Sequence, residues 1–347
     1  MMEFCWGLPV IPTPQTKDLL DAYIDQSKRA EANGFDSVLV SVAPTSVDPF
    51  VASTLIGMNT ESIRILVAQN TNQMLPTVTA KAVHTLNQLI GDRVDVNVVT
   101  GSASMVLARD GKPEPHGVRY QRTKEYIDLI QQLRRGVTTY AGRFYQVENS
   151  DIYPKENPEH RARYFIAGSS EAAMQVAAEH GDAYILYATD RNTLKEHFTK
   201  VQNYGKEYGH SDIPCAVLVD IIARETTEEA FQTANELLER TPTTLKRMTK
   251  LFLKNADSVG LSRYKNLRKE DDYWVDEHLW GGLSVVNPSN SVSIVGSYPD
   301  VIATLLDFRR AGASYFLLTS QMSDTEIERI GQHVLRPLKE TAIKSPV

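Results

Sequence analysis

Short apolar runs alternate with longer amphipathic ones almost from one end of the chain to the other, and this rhythm limits the fold more than any single motif. Strands are expected at Glu3–Leu8, Ser37–Ser41, Arg64–Gln69, Val94–Val99, Arg163–Ala167, Ala183–Tyr187, Ala216–Ala223 and Tyr315–Thr319. The helical patterns between them have legible ends. Lys17–Asn33 stops at Gly34 and Thr77–Ile90 at Gly91, glycines suited to the left-handed conformation just past a helix. The stretch after Tyr120 runs to Gly136, and Thr226–Arg240 opens in RETTEEA, with threonine and glutamate at capping-box spacing. Eight strands, each followed by helical sequence, predict parallel βα units closed into a (β/α)8 TIM barrel, a single domain over residues 1–347. A doubly wound sheet is the runner-up, but it ordinarily uses fewer strands.

Charge narrows what such a barrel could be for. A net charge of −6 and a pI near 5.8 give no basis for binding nucleic acid or an anionic membrane surface. Two cysteines, Cys5 and Cys215, cannot form a disulfide framework, and no CxxC or histidine-rich spacing offers a metal site. The opening MMEFCWGLPV has neither a basic segment nor a long apolar one. No apolar run reaches the roughly 18 residues of a membrane helix. A soluble, cytoplasmic protein is the expectation.

Two stretches exceed what a minimal barrel needs. Gly136–His160, with Tyr140, Tyr145 and Tyr153, reads as loop. Lys254–Asn290 runs from KNADSVG through KNLRKEDDYW to GGLSVVNPSN. It is polar, glycine-bearing and long, which suits a mobile lid inserted in the barrel; an insertion without a role would have the same composition.

Barrel chemistry collects just past the strand ends. There the sequence offers Pro9–Ile11, Ala43–Asp48, Gln69–Asn70, Asn97–Gly101, Gly168–Ser170, Tyr187–Thr189, Leu218–Asp220 and Gln321. Asp220 is the one carboxylate set within a strand at that end. No paired carboxylates, GxSxG elbow or Walker A loop appears, so a site whose cofactor does the chemistry fits better than a side-chain hydrolase. YFIAGSSEAA, Tyr164–Ala173, runs a buried strand through Gly-Ser-Ser straight into a helix. That arrangement suits an anion at the helix N-terminus, and equally a plain capping serine. HGVRY, His116–Tyr120, begins another helix, where Arg119 could meet a phosphate or pair with Glu125 or another acid.

In chain order, CWGLP (Cys5–Pro9), PTVTAKAVHTLNQLIGDR (Pro76–Arg93), NVVTG (Asn97–Gly101) and HGVRYQR (His116–Arg122) resemble the bacterial luciferase-like flavin monooxygenases. YFIAGSS (Tyr164–Ser170), RETTEEA (Arg224–Ala230), ADSVG (Ala256–Gly260), LWGGL (Leu279–Leu283) and IVG (Ile294–Gly296) continue the likeness, which is closest to the alkanesulfonate monooxygenase branch. The resemblance implies a barrel with a lid, holding FMN by its phosphate at the mouth. Reduced FMN would come from a separate NAD(P)H flavin reductase, and O2 would yield a flavin peroxide. Position by position, it implies Gly168, Ser169 and Ser170 at the phosphate, helped by Tyr120 and Arg119. His116 and Asn97 would lie along the flavin, with Thr100 nearby.

The substrate side departs from that branch. Its histidine after LP in the first strand is Ile11 here, its cysteine after the second strand is Ser46, and its arginine and histidine on the seventh are Leu218 and Asp220. Its lid arginine is Asn287, its tryptophan after the sixth strand Tyr187, and its tyrosine ending the eighth Gln321. A sulfonate in a partly dry pocket needs cations, and facing Asp220 would be strongly unfavourable. Alkanesulfonates are therefore rejected, and a small neutral or amine-bearing substrate is expected. Asp220, Ser46, Tyr187, Asn287 and Gln321 are the candidate catalytic residues. Asp220 would serve as a base or anchor an ammonium, or else pair structurally with Arg163 or Arg224. Ser46 could equally cap a helix, Trp6 could belong to the core, and His84 to the surface or an interface.

The expected function is thus an FMNH2-dependent monooxygenase of a two-component system. Alternatives are a hydride-transfer relative using deazaflavin F420 and a flavin-binding protein without catalysis. A homodimer or homotetramer is expected, with a transient flavin reductase partner and a substrate either free or tethered to a carrier.

Overall fold

Alternate side chains of a strand face opposite sides of its sheet, and in this chain the two sides become a closed interior and a helix-covered exterior. The computed structural model describes residues 2–10, 16–43, 46–101, 104–111, 113–264, 267, 273–286, 292–321 and 325–344. Strands β1 (Glu3–Gly7), β2 (Ser37–Val40), β3 (Arg64–Asn70) and β4 (Val94–Val99) are parallel neighbours. A separate antiparallel hairpin of β5 (Thr138–Ala141) and β6 (Gln146–Ser150) follows. β7 (Tyr164–Ala167), β8 (Ala183–Tyr187) and β9 (Cys215–Arg224) then continue the parallel ring. After β10 (Trp274–Asp276), β11 (Leu279–Trp280) and β12 (Ser293–Ser297), β13 (Ala313–Thr319) pairs with both β9 and β1 and closes the barrel. It is a (β/α)8 barrel, built on the eight strand regions read from the sequence.

The helices come in the expected alternation. They are α1 (Thr16–Ala32), α2 (Pro49–Met58), α3 (Pro76–Leu89), α4 (Ser104–Leu107), α5 (His116–Leu133), α6 (Glu171–His180) and α7 (Arg191–Glu207). α8 (Thr227–Arg240), α9 (Thr243–Asn255), α10 (Val259–Tyr264), α11 (Tyr298–Arg310), α12 (Glu326–Ile330) and α13 (Arg336–Lys344) complete the set. Gly34 and Gly91 do take positive φ past α1 and α3. Thr226 and Glu229 form the predicted capping box at α8. Outward-facing Val94, Val96 and Val98 of β4 join the large cluster shared with the helices, as does Trp6. Among the described residues no helix is long and apolar enough to cross a membrane.

The barrel interior is apolar at its waist and ionic at its floor. Cys5, Leu39, Leu66, Phe165, Tyr315 and Leu317 fill the waist as one buried cluster. Burial pushes the Cys5 thiol up to about 12, so it packs as a small apolar group. Below them Asp95 receives hydrogen bonds from Arg64 at 2.7 and 2.9 Å and from Arg163 at 2.9 Å, and Arg163 also holds Glu3 at 2.8 Å. Burial alone would raise the Asp95 carboxyl, but the two guanidiniums hold it below its ordinary range.

Two readings of the sequence need correction. Gly136–His160 is not plain loop, because Thr138, Tyr140 and Val147 pair across the β5–β6 hairpin. The Glu125 carboxylate accepts the backbone N–H groups of Arg143 and Phe144 at its turn, an ordering contact 18 and 19 residues away in the chain. The second concerns β9, which is ten residues long. Its first half belongs to the barrel wall, while Asp220–Arg224 pairs with β12, a strand whose short run after SNSV carried no clear alternation. β12 in turn pairs antiparallel with β11, so this arm extends the wall beyond β8.

Candidate active site

The C-terminal end of β7 turns on Gly168, whose φ of +141° and crowded surroundings exclude a side chain: a Cβ there would collide with the Tyr120 hydroxyl. Its carbonyl accepts the Tyr184 hydroxyl at 2.7 Å, which fixes the turn. Ser170 then caps α6, its hydroxyl accepting Ala173 N–H at 3.2 Å. Ser169 differs. Its residue is 7% exposed, and its Oγ is buried with no hydrogen-bond partner. An orphaned buried hydroxyl beside the free N–H groups of a ten-residue helix forms a shelf built for an acceptor-rich anion.

Tyr120 of α5 backs this shelf. Its hydroxyl donates to the Ala167 carbonyl at 3.3 Å and lies within hydrogen-bonding reach of Ser170 and Thr100. Thr100 also meets Thr123, 3.0 Å away. Burial raises the phenols of Tyr120 and Tyr187, so both stay protonated and can donate. His116, one turn before Tyr120, lies against its ring with centroids 4.9 Å apart. Burial and the charge of Arg119 lower its basicity, so the imidazole is neutral at pH 7.

Asn97 shares the inward parity of Asp95, and its register partners Ala68 and Phe165 belong to the interior cluster. Its Oδ1 is buried without a partner. The Asn97 wall, Thr100, Tyr120 and the Gly168–Ser170 turn are therefore contiguous on β4 and β7 with α5 behind them. Tyr120 lies within hydrogen-bonding reach of both Thr100 and Ser170, with Asn97 lower on the strand that leads to Thr100.

Arg119 is used differently. Its guanidinium, 1% exposed, grips Asp257 at 2.7 and 2.9 Å and the Glu114 carbonyl at 2.7 Å. Its partner is thus an acid other than Glu125, and the shelf does not hold it. Asp257 belongs to ADSVG, which leads into α10, and Gly260 of the same motif lies over Ser169. The motif by itself assigns Asp257 and Gly260 no role, because a pair 138 residues apart leaves no local signal.

On the substrate side, Asp220 is 1% exposed and accepts the Thr319 hydroxyl at 2.5 Å. The cations proposed as its structural partners have other ion pairs, Arg163 with Glu3 and Asp95, and Arg224 with Glu326. Tyr187 ends β8, in register with Leu218. Ser46 is spent on its own turn, its Oγ accepting Ala43 N–H and donating to Ala43 carbonyl, both at 2.9 Å. The cap of α2 is Asp48, not Ser46. Gln321 is exposed just past β13. Ile11 and Asn287 lie outside the described residues. A cavity of about 90 Å³ lies under α10, lined by Tyr187, Thr189, Gly260, Arg263, Leu267 and Val292. Arg263 is a cation that comparison along the strands missed; its Nη2 is 3.0 Å from His197 Nε2. His84, read as surface or interface, is 2% exposed and its Nδ1 lies 3.0 Å from the Pro154 carbonyl. Among the described residues no group of histidines, cysteines or carboxylates could hold a metal ion.

The luciferase-like monooxygenase family model matches residues 2–315. The chain belongs to that family. Among solved structures, a riboflavin lyase with modified FMN and riboflavin is similar at a TM-score of 0.81 and 18% identity, over 99% of this chain and 92% of that one. EDTA monooxygenase from Chelativorans sp. gives 0.80 and 16% over 99% and 94%. A coenzyme F420-dependent tetrahydromethanopterin reductase from Methanopyrus kandleri gives 0.72 and 16% over 97% and 99%. At these identities the likeness is one of fold.

Proposed function

We propose that the protein is an FMNH2-dependent monooxygenase of a two-component system, acting on a small neutral or amine-bearing substrate. The observation that carries the cofactor reading is the Ser169 hydroxyl, buried and unpartnered where α6 begins. A flavin phosphate would satisfy it, with Ser170, Tyr120 and the helix N–H groups as further donors. Asn97 and His116 would lie along the ring system, offering an amide and a neutral imidazole. Bound reduced flavin supplies the activation of O2. The chain's own part is to hold the ring, exclude water and orient the substrate.

Asp220 supports the substrate reading. It stands midway along β9, where the Thr319 hydroxyl donates to it, and a carboxylate there favours an ammonium over a sulfonate. We propose the 254–290 region as the lid and a separate reductase as the source of reduced flavin. Self-association is proposed through α2, where Val51, Leu55 and Met58 are exposed on one face of a helix without a charged residue.

An oxygen electrode tests the reaction class. With photoreduced FMN and a panel of amines and neutral compounds, substrate-dependent product formation with O2 uptake is expected. Hydride transfer from reduced F420 without O2 uptake would replace this reading with the deazaflavin one. Binding of FMN with no compound oxidised would leave a carrier.

A further inference from the structure

We infer that Asp257 is a positioning residue which, through buried Arg119, holds residues 256–263 as a roof on the Ser169 shelf. Gly260 is the point of contact. This rests on the reading of that shelf as the seat of a flavin phosphate.

The tether is well built. Both Asp257 oxygens meet Arg119, at 2.7 and 2.9 Å, in the two-pronged geometry that makes guanidinium–carboxylate pairs strong and directional. Arg119 is itself fixed by the Glu114 carbonyl at 2.7 Å and the Gly101 carbonyl at 3.4 Å, so it cannot follow Asp257 if the segment moves. The far end of the segment is held by Arg263 on His197, whose Nδ1 lies 2.9 Å from the Thr193 carbonyl. Ser258 stiffens the span between, with Ser262 Oγ on its carbonyl at 2.9 Å.

Gly260 sits midway between the two tethers. A Cβ there would stand 2.9 Å from Ser169 Oγ and 3.2 Å from the Tyr187 ring, so the backbone approaches as closely as it does because residue 260 has no side chain. The same approach hides the Ser169 hydroxyl without giving it a partner. For a phosphate oxygen to reach that hydroxyl the roof must rise, and once it closes again it covers the ligand. The Asp257–Arg119 pair therefore sets how often the shelf opens, and the missing side chain at 260 sets how closely it shuts. Neither residue needs to touch reacting atoms.

The test uses the full chain with Asp257→Asn and Gly260→Ala, and riboflavin as a probe lacking the phosphate. Hydrogen exchange of the 256–263 amides in the ligand-free protein reads the roof directly and does not depend on the cofactor. Asp257→Asn is expected to speed that exchange and FMN dissociation by about tenfold each, the size of losing one charge-assisted contact. Riboflavin affinity should stay constant. Gly260→Ala should weaken FMN relative to riboflavin in the same direction. Arg119→Lys, which keeps the charge but not the fork, should repeat the exchange effect if the first variant folds poorly. Unchanged exchange at 256–263 in a folded Asp257→Asn protein overturns the inference. So does equal loss of FMN and riboflavin, which would mean that the pair only props the fold. Failure of the wild-type chain to bind FMN at all would instead refute the flavin reading, with the exchange result still deciding the tether.

Discussion

Thr319 donates its hydroxyl to Asp220 across the seam where β13 and β9 stand at the same register level, 2.5 Å from oxygen to oxygen. The contact fixes one carboxylate oxygen of Asp220. In Asp220→Asn the charge that would hold an ammonium is gone while the shape is kept. We expect kcat/KM for an amine substrate to fall by about 100-fold, in line with loss of one buried charge pair, with FMN affinity unchanged. Steady-state kinetics alongside flavin titration would check this. An Asp220→Asn enzyme with unaltered kcat/KM would remove Asp220 from the substrate site.

Ser169→Ala separates stability from binding. Removing a buried hydroxyl that has no partner relieves a desolvation penalty of about 1–3 kcal/mol, so the ligand-free variant should melt no lower than the parent. FMN affinity should nonetheless drop about tenfold, with riboflavin unaffected. Thermal melting and fluorescence titration suffice, and a lowered Tm together with unchanged FMN binding contradicts the assignment.

The barrel floor makes the opposite prediction. Asp95 is fully buried and faces two guanidiniums, so Asp95→Asn leaves Arg64 and Arg163 short of a counter-charge. Loss of about 3–5 kcal/mol is expected, reduced where Glu3 still neutralises Arg163 at the solvent-reached edge. Urea unfolding should register it, and flavin affinity of the folded fraction should not change.

Stability should fall as the solution is acidified from neutrality. Burial lowers the basicity of His84, His116 and His180 below their ordinary value of 6.5. Between that value and the lower native one, the unfolded chain binds protons that the folded chain does not. Falling pH therefore favours unfolding, and the contribution is fully present only above about 6.5. Melting temperature followed from pH 7.5 to 5 should decline through this window. In His84→Gln the decline should be shallower, and an identical slope would count against that histidine.

Much of the architecture was legible because it is local. Strand alternation, helix-ending glycines and the Thr226 capping box are written within a few residues of where they act. The candidate site was legible for a related reason: Asn97, Thr100 and the Gly168–Ser170 turn lie at or near strand ends, and a parallel barrel gathers all strand ends at one mouth. What stayed hidden depended on distant partners. A pairing of Arg119 with an acid is legible in HGVRY, but which acid is not, because nothing there signals an aspartate far down the chain. Ser46 looked available until its turn with Ala43 was seen. Arg263 escaped notice because helix α10 brings it over the mouth from a segment with no strand of its own.

β9 has one further consequence. Its lower half is barrel wall, its upper half carries the β12–β11 arm, and Asp220 stands where the two meet. The Ser169 shelf, by contrast, hangs on β4, β7 and α5. On the proposed reading, the shelf and Asp220 thus rest on different strands. Drift confined to the β9–β12 junction around Asp220 could, on that reading, re-target the chemistry while leaving the shelf and its 256–263 roof intact, which makes this junction the natural place to diversify when new substrates are sought.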